Sequence, residues 1–159
     1  MRIGLALVVL ALVTPARADC DHFKWPLARE RAWFAAAPEP LDAGAEIGPA
    51  DQAYALTLKP GDVAGYVLPP KKPVGGTFGA VVRLKAIPRP GLYQVTLSRE
   101  AWIDLIQNGV SARSRNVSRQ NDCDGVRKSV RFELEAGPAI LQISGVDAAA
   151  LQFAVAPAP

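Results

Sequence analysis

One histidine, two cysteines and a run of six cations carry most of the chemical potential of this chain. His22 is the only histidine, so a Ser-His-Asp or Cys-His catalytic site would have to be built on it. Neither a Gly-x-Ser-x-Gly elbow nor a His-Glu-x-x-His pair occurs. His22 with nearby carboxylates leaves a metal-dependent enzyme as an alternative reading, but a metal site needs several convergent ligands, not one. Gln120-Asn121-Asp122-Cys123-Asp124-Gly125 has the flavour of a calcium loop. Gln120 stands at the first ligand position, however, and Arg131 where a bidentate Glu belongs, so a disulfide-bearing turn is the better reading. Gly75-Gly76-Thr77-Phe78-Gly79 precedes a strand and lacks the Gly-Lys-Ser/Thr ending of a phosphate cradle. Glu133 and Glu135 fall on the solvent side of a strand with nothing to raise a carboxylate pKa. No catalytic residue, metal ligand or cofactor is assigned.

Binding chemistry has two candidates. Arg113, Arg115, Arg119, Arg127, Lys128 and Arg131 face only Asp122 and Asp124 in the same stretch. Gathered on one end of the fold they would attract an anionic glycan, a lipid head group or an acidic partner; as ordinary solvated loop and strand faces they would do nothing specific. The second candidate is aromatic. With Ile103 and Leu105 pointing into the core, Trp102, Asp104 and Ile106 share the opposite face. An outward Trp beside an Asp can stack a sugar or anchor a protein. The preferred reading instead has Trp102 covered by an N-terminal helix carrying Trp25, Trp33 and Phe34, since large aromatics mostly end up buried.

The compartment follows from the first residues. Met1-Arg2, an apolar run from Ile3 to Val13 and Ala16-Arg17-Ala18 form the three parts of a secretory signal peptide over residues 1–18. The apolar run is too short to anchor in a bilayer, and no second long one follows, so no membrane span is expected. Export to a bacterial periplasm or beyond favours a Cys20–Cys123 disulfide. Asp19 stands where a lipidated cysteine needs a small residue. Cleavage after Ala18 leaves 141 of the 159 residues, a length typical of one domain. It removes Arg2 and Arg17 and no acid, so 18 basic residues become 16 against 15 acidic ones. The sequence pI of about 9.1 thus owes much to the signal segment, and nucleic acid is not an expected partner.

The elements that would position these residues are mostly strands. Lys24 to Phe34 reads as one short helix with Pro26 at its first position, stopped by Pro38 and Pro40. Residues 19–52 are thus a helical segment and a surface connection. From Ala53 the period becomes two. Tyr54-Leu56-Leu58, Phe78-Ala80-Val82-Leu84, Tyr93-Val95-Leu97, Trp102–Gln107, Val110–Ser114, Val130-Phe132-Leu134, Ala139–Ser144 and Ala150–Val155 are separated by turn signals. Asn108-Gly109 is the strongest of these signals. Residues 67–76 form the longest irregular loop, and the Ala-Pro tail is expected to fray. Over residues 53–156 the pattern predicts an antiparallel β-sandwich or jelly roll of about eight strands with a short N-terminal helix.

Gly91–Ser98, Trp102–Ile106, Arg131–Gly137 and Leu141–Gly145 together resemble the bacterial pre-peptidase C-terminal domain, a small β-sandwich accessory module of secreted proteins. The segment Cys20–Phe34 lies outside that resemblance and looks like a family of small exported bacterial proteins without a characterised activity. Some members of that family carry the label homogentisate 1,2-dioxygenase. A non-haem iron oxygenase binds its metal through two histidines and a carboxylate, which His22 alone does not supply. The exported compartment, the β-sandwich pattern and the missing catalytic residues together predict a non-catalytic exported module that binds a ligand or partner protein in the bacterial envelope. An obligate structural subunit of an envelope complex is the further alternative.

Overall fold

Alternating apolar residues separated by Gly- and Pro-rich turns fold as strands because one face of each can be buried while the other is polar. The computed structural model describes residues 20–48, 52–72 and 74–159; residues 1–18, predicted as a signal peptide, lie outside them. The chain is a β-sandwich of two sheets. Its strands are β1 Glu39–Asp42, β2 Glu46–Ile47, β3 Ala53–Thr57, β4 Lys59–Pro60, β5 Phe78–Ile87, β6 Gly91–Leu97, β7 Trp102–Gln107, β8 Val110–Ser111, β9 Ser114–Arg119, β10 Lys128–Leu134, β11 Gly137–Val146 and β12 Ala150–Pro157. Sheet A runs β1-β3-β12-β6-β10-β9 and sheet B runs β2-β5-β11-β7-β8, with β4 also pairing β5. The inner faces meet in one core in which Leu56, Val95, Leu97 and Phe153 of sheet A pack with Val82, Leu105, Leu141 and Ile143 of sheet B.

Twelve strands, rather than about eight, are present among the described residues. Two of the extra ones, β1 and β2, lie in the Ala/Gly/Pro-rich stretch read as a connection. There the chain crosses from sheet A to sheet B at Ala43-Gly44-Ala45, pairing parallel first to β3 and then to β5. Gly44, at φ +96°, makes the crossing, and its N–H bonds Val81 O at 2.7 Å. The third, β4, is a two-residue bridge inside a predicted turn. The fourth, β9, is a polar edge strand. The predicted strand Val110–Ser114 is split accordingly: β8 closes the Asn108-Gly109 hairpin in sheet B, and the chain changes sheet at Ala112-Arg113. Asn108 and Gly109 both have positive φ, as a tight hairpin requires. The C-terminal tail is held rather than frayed, since Ala158 N bonds Leu92 O at 2.8 Å.

The N-terminal segment lies on the outer face of sheet A. Its helix α1 spans Ala28–Ala35 and starts later than the pattern predicts. Pro26 disfavours a helical Trp25, and Trp25 is needed as a buried side chain before the helix begins. The bed beneath is made of small side chains in cross-strand register: Ala53, Ala154, Thr96, Ser129 and Ser118. Phe23, Trp25, Leu27 and Phe34 pack with Ala53, Ala154 and Val126 as a second apolar cluster. Trp25 Nε1 donates to Ser129 Oγ at 3.2 Å, and Ser129 Oγ lies 3.0 Å from Thr96 Oγ1. The Cys20–Cys123 disulfide ties the start of this segment to the β9–β10 turn.

Candidate functional site

Strand pairing separates the six cations. Arg115 bonds Glu133 on the outer face of sheet A. Lys128 lies five residues back along β10, about 17 Å away at the rise of a strand. Arg113 is exposed near the Glu133 end, where its carbonyl accepts from Glu133 N. Arg131 lies over the Trp25 ring at 4.3 Å and donates to Gln94 Oε1 at 3.3 Å. Arg127 is held by the turn that carries Cys123, donating to Asn121 O at 2.6 Å. Lys128 and Arg119 share Glu100, at 2.9 and 4.0 Å. Only Arg119, Arg127 and Lys128 therefore gather at one end, and each already has a protein partner.

Lys128 is 4% exposed and also donates to Ala101 O. Burial lowers its pKa below the ordinary 10.5, Glu100 opposes this, and Arg119 and Lys72 add to it. As pH falls from 10.5 the unfolded chain takes up this proton before the folded one, so the Lys128 contribution to stability rises with pH over that window. Lys128→Met removes the slope. At pH 7 the variant should unfold within about 1 kcal/mol of the wild type, since the Glu100 carboxylate it leaves behind is half-exposed and stays hydrated. Urea titrations of both proteins at pH 8, 9 and 10 should show the difference moving in favour of the wild type as pH rises. A constant difference would contradict the assignment. Tyr54 and Tyr66, whose pKa values burial raises above 10.0, give the opposite slope in both proteins alike.

Trp102 is not covered by the N-terminal helix, which packs on β3 and β12 of the other sheet. It is half-buried on the outer face of sheet B, with the Lys71 ammonium 5.6 Å from its ring. A strap formed by residues 64–72 crosses this face. Gln142, fully buried in β11, pins the strap: its Oε1 accepts from Val67 N and Leu68 N at 2.9 and 3.2 Å, and its Nε2 donates to Leu68 O at 2.9 Å. The Tyr66 hydroxyl rests against Gly79, where any Cβ would strike it and come within 2.7 Å of Ile143 O. Asp104 is buried next to this strip and accepts from Ser111 Oγ at 3.2 Å. The Trp102–Asp104 pair is thus a covered strip and not an open sugar platform. Trp102 Nε1, Ser144 Oγ beside it in register, and Tyr66 Oη are buried without a hydrogen-bond partner among the described residues.

A more enclosed apolar opening lies elsewhere, at the end of the sandwich where the two sheets part. A cleft of about 240 Å³ is lined by Ile47, Tyr54, Leu84, Ile87, Tyr93 and Val155, with Pro88, Arg89 and Pro157 at its lip. Tyr54 stacks on Phe153 with centroids 5.5 Å apart. Tyr93 Oη donates to Arg89 O at 2.9 Å and so pins the Pro88-Arg89-Pro90 turn against the opening. Arg89 is exposed, and its guanidinium has no ion-pair or hydrogen-bond partner among the described residues.

No protein-family model matches this chain, and no curated protein matches it. The site must be read from geometry.

His22 sits at an exposed turn whose carbonyl accepts from Gln120 Nε2 at 2.7 Å. No three His, Cys, Asp or Glu side chains come together among the described residues. No helix among them is long and apolar enough to cross a membrane. Sequence reasoning missed the cleft because its lining comes from the ends of β2, β3, β5, β6 and β12, which only folding brings together. The one local signal was the Pro88-Arg89-Pro90-Gly91 turn, with Tyr93 two residues after it.

Proposed function

We propose that this chain is a non-catalytic β-sandwich module, exported to the bacterial periplasm or secreted, that binds a ligand in the cleft at the open end of the sandwich. The observation carrying this reading is that cleft, an apolar and aromatic concavity with one unpaired charge at its lip. Sites of this make-up, mostly apolar with a few placed polar groups, are where small molecules bind. The disulfide suits an oxidising compartment, and the sandwich suits the resemblance of residues 53–156 to pre-peptidase C-terminal modules.

The test is a thermal-shift screen of the oxidised protein lacking residues 1–18 against small apolar, anionic and glycan probes, beside a Val155→Trp variant. Val155 lines the cleft and is only partly buried, so an indole there fills the opening. A ligand at 100 times its dissociation constant adds about 2.7 kcal/mol to stability. The wild type should respond to probes that the variant ignores. Equal responses from both proteins would move the binding site away from the cleft.

A further inference from the structure

Resting on the cleft reading, we propose that the ligand is a small amphipathic carboxylate, its apolar ring or short acyl chain between the sheets and its anionic end on Arg89.

Size sets the first limit. A cavity of 150 Å³ lined by Leu, Ile and Phe side chains holds one benzene, so about 240 Å³ takes a substituted ring or a short chain. The walls set the polarity. Ile47, Leu84, Ile87 and Val155 offer no hydrogen bond, and Tyr93 spends its hydroxyl proton on Arg89 O. A polyhydroxylated ligand would therefore find few hydrogen-bond partners on these walls.

The lip sets the charge. Arg89 is held between two prolines, its carbonyl is clamped by Tyr93, and its guanidinium is uncommitted. The neighbouring Arg29 donates to Glu30 and to the carbonyl of Pro157, itself a lip residue. The nearby acid, Glu39, accepts from Gln52 Nε2 at 2.9 Å and keeps its charge on the Tyr54 side of the cleft. Arg89 is thus the uncommitted cation at the lip, and a guanidinium fork matches a carboxylate.

Titrating octanoate and 1-octanol into the oxidised protein separates the two halves of this proposal. Both should bind and shift the ring resonances of Tyr54 and Tyr93, with octanoate about fivefold tighter, the upper range for an exposed ion pair. Arg89→Gln should abolish that preference while octanol binding stays unchanged, and Val155→Trp should abolish both. 3-Phenylpropionate in place of octanoate distinguishes an aromatic acid from an acyl chain; tighter binding by either upholds the proposal and names the source. Equal binding of octanol and octanoate, unmoved by Arg89→Gln, would overturn the carboxylate assignment and leave the cleft reading standing. No shift of either tyrosine ring with any probe would overturn both.

Discussion

Replacing Cys20 and Cys123 with serine should lower the free energy of unfolding by about 4 kcal/mol. The bridge joins residues 103 apart in sequence. In the chain-entropy model a loop of that length is worth about 4.7 kcal/mol, and native bridges removed from small secreted domains cost about 2–5. The effect acts mainly on the unfolded chain, because Phe23, Trp25, Leu27 and Phe34 keep their seat on sheet A through packing of their own. Urea unfolding of the oxidised and serine proteins measures it. The serine variant should show a lower midpoint and a steeper denaturant slope, since its unfolded state exposes more surface. A loss below about 1 kcal/mol would mean that the unfolded chain is already compact enough to make the tether redundant.

Why the sequence announces the sandwich but not its sites is visible in particular residues. In β6 and β10 the alternation of Tyr93, Val95 and Leu97, or of Val130, Phe132 and Leu134, with polar neighbours identifies the inner face correctly. Alternation says which side a residue is on, however, and nothing about what lies over that side. Gln94, Thr96 and Ser129 point away from the core, as their polarity predicts, and are nevertheless buried under the N-terminal segment. Gln142 does the same under the strap, and Asp104 beside it in register is buried as well. The strands that escaped notice lack the pattern altogether. β1 and β2 are short pieces at a sheet crossing, and β9, Ser114–Arg119, is polar nearly throughout because an edge strand gains from charge that discourages further pairing. Of the six cations close in sequence only Arg119, Arg127 and Lys128 meet at one end; a strand spreads neighbours at about 3.4 Å per residue and alternates their faces.

The covered outer face of sheet A also yields the second large effect. Glu30 on α1 is 1% exposed. Its Oε1 accepts from Gln94 Nε2 at 2.6 Å and from Arg29 Nε and Nη2 at 3.0 and 2.6 Å. Gln94 Oε1 in turn accepts from Arg131, whose guanidinium is packed on Trp25. The helix thus places one carboxylate against a strand amide and a partly buried cation, and each part is satisfied only while the others are present. Removing one member of a buried charged set costs about 3–5 kcal/mol, because the groups left behind lose their partners without regaining water. The partial exposure of Arg29 and Arg131 places Glu30→Ala at the lower end, about 3 kcal/mol. Glu30→Gln keeps an acceptor for Gln94 and loses only the charge, so it should cost about half as much. Arg131→Met should cost less in the Glu30→Ala background than alone, since the guanidinium it removes has already lost its carboxylate. Urea midpoints for the four variants, each against the wild type, decide the matter. Equal losses for Ala and Gln at position 30, with additive Arg131→Met, would mean that Glu30 acts by filling space. The expected non-additivity would make the polar layer, together with the disulfide, what registers the N-terminal segment on the sandwich.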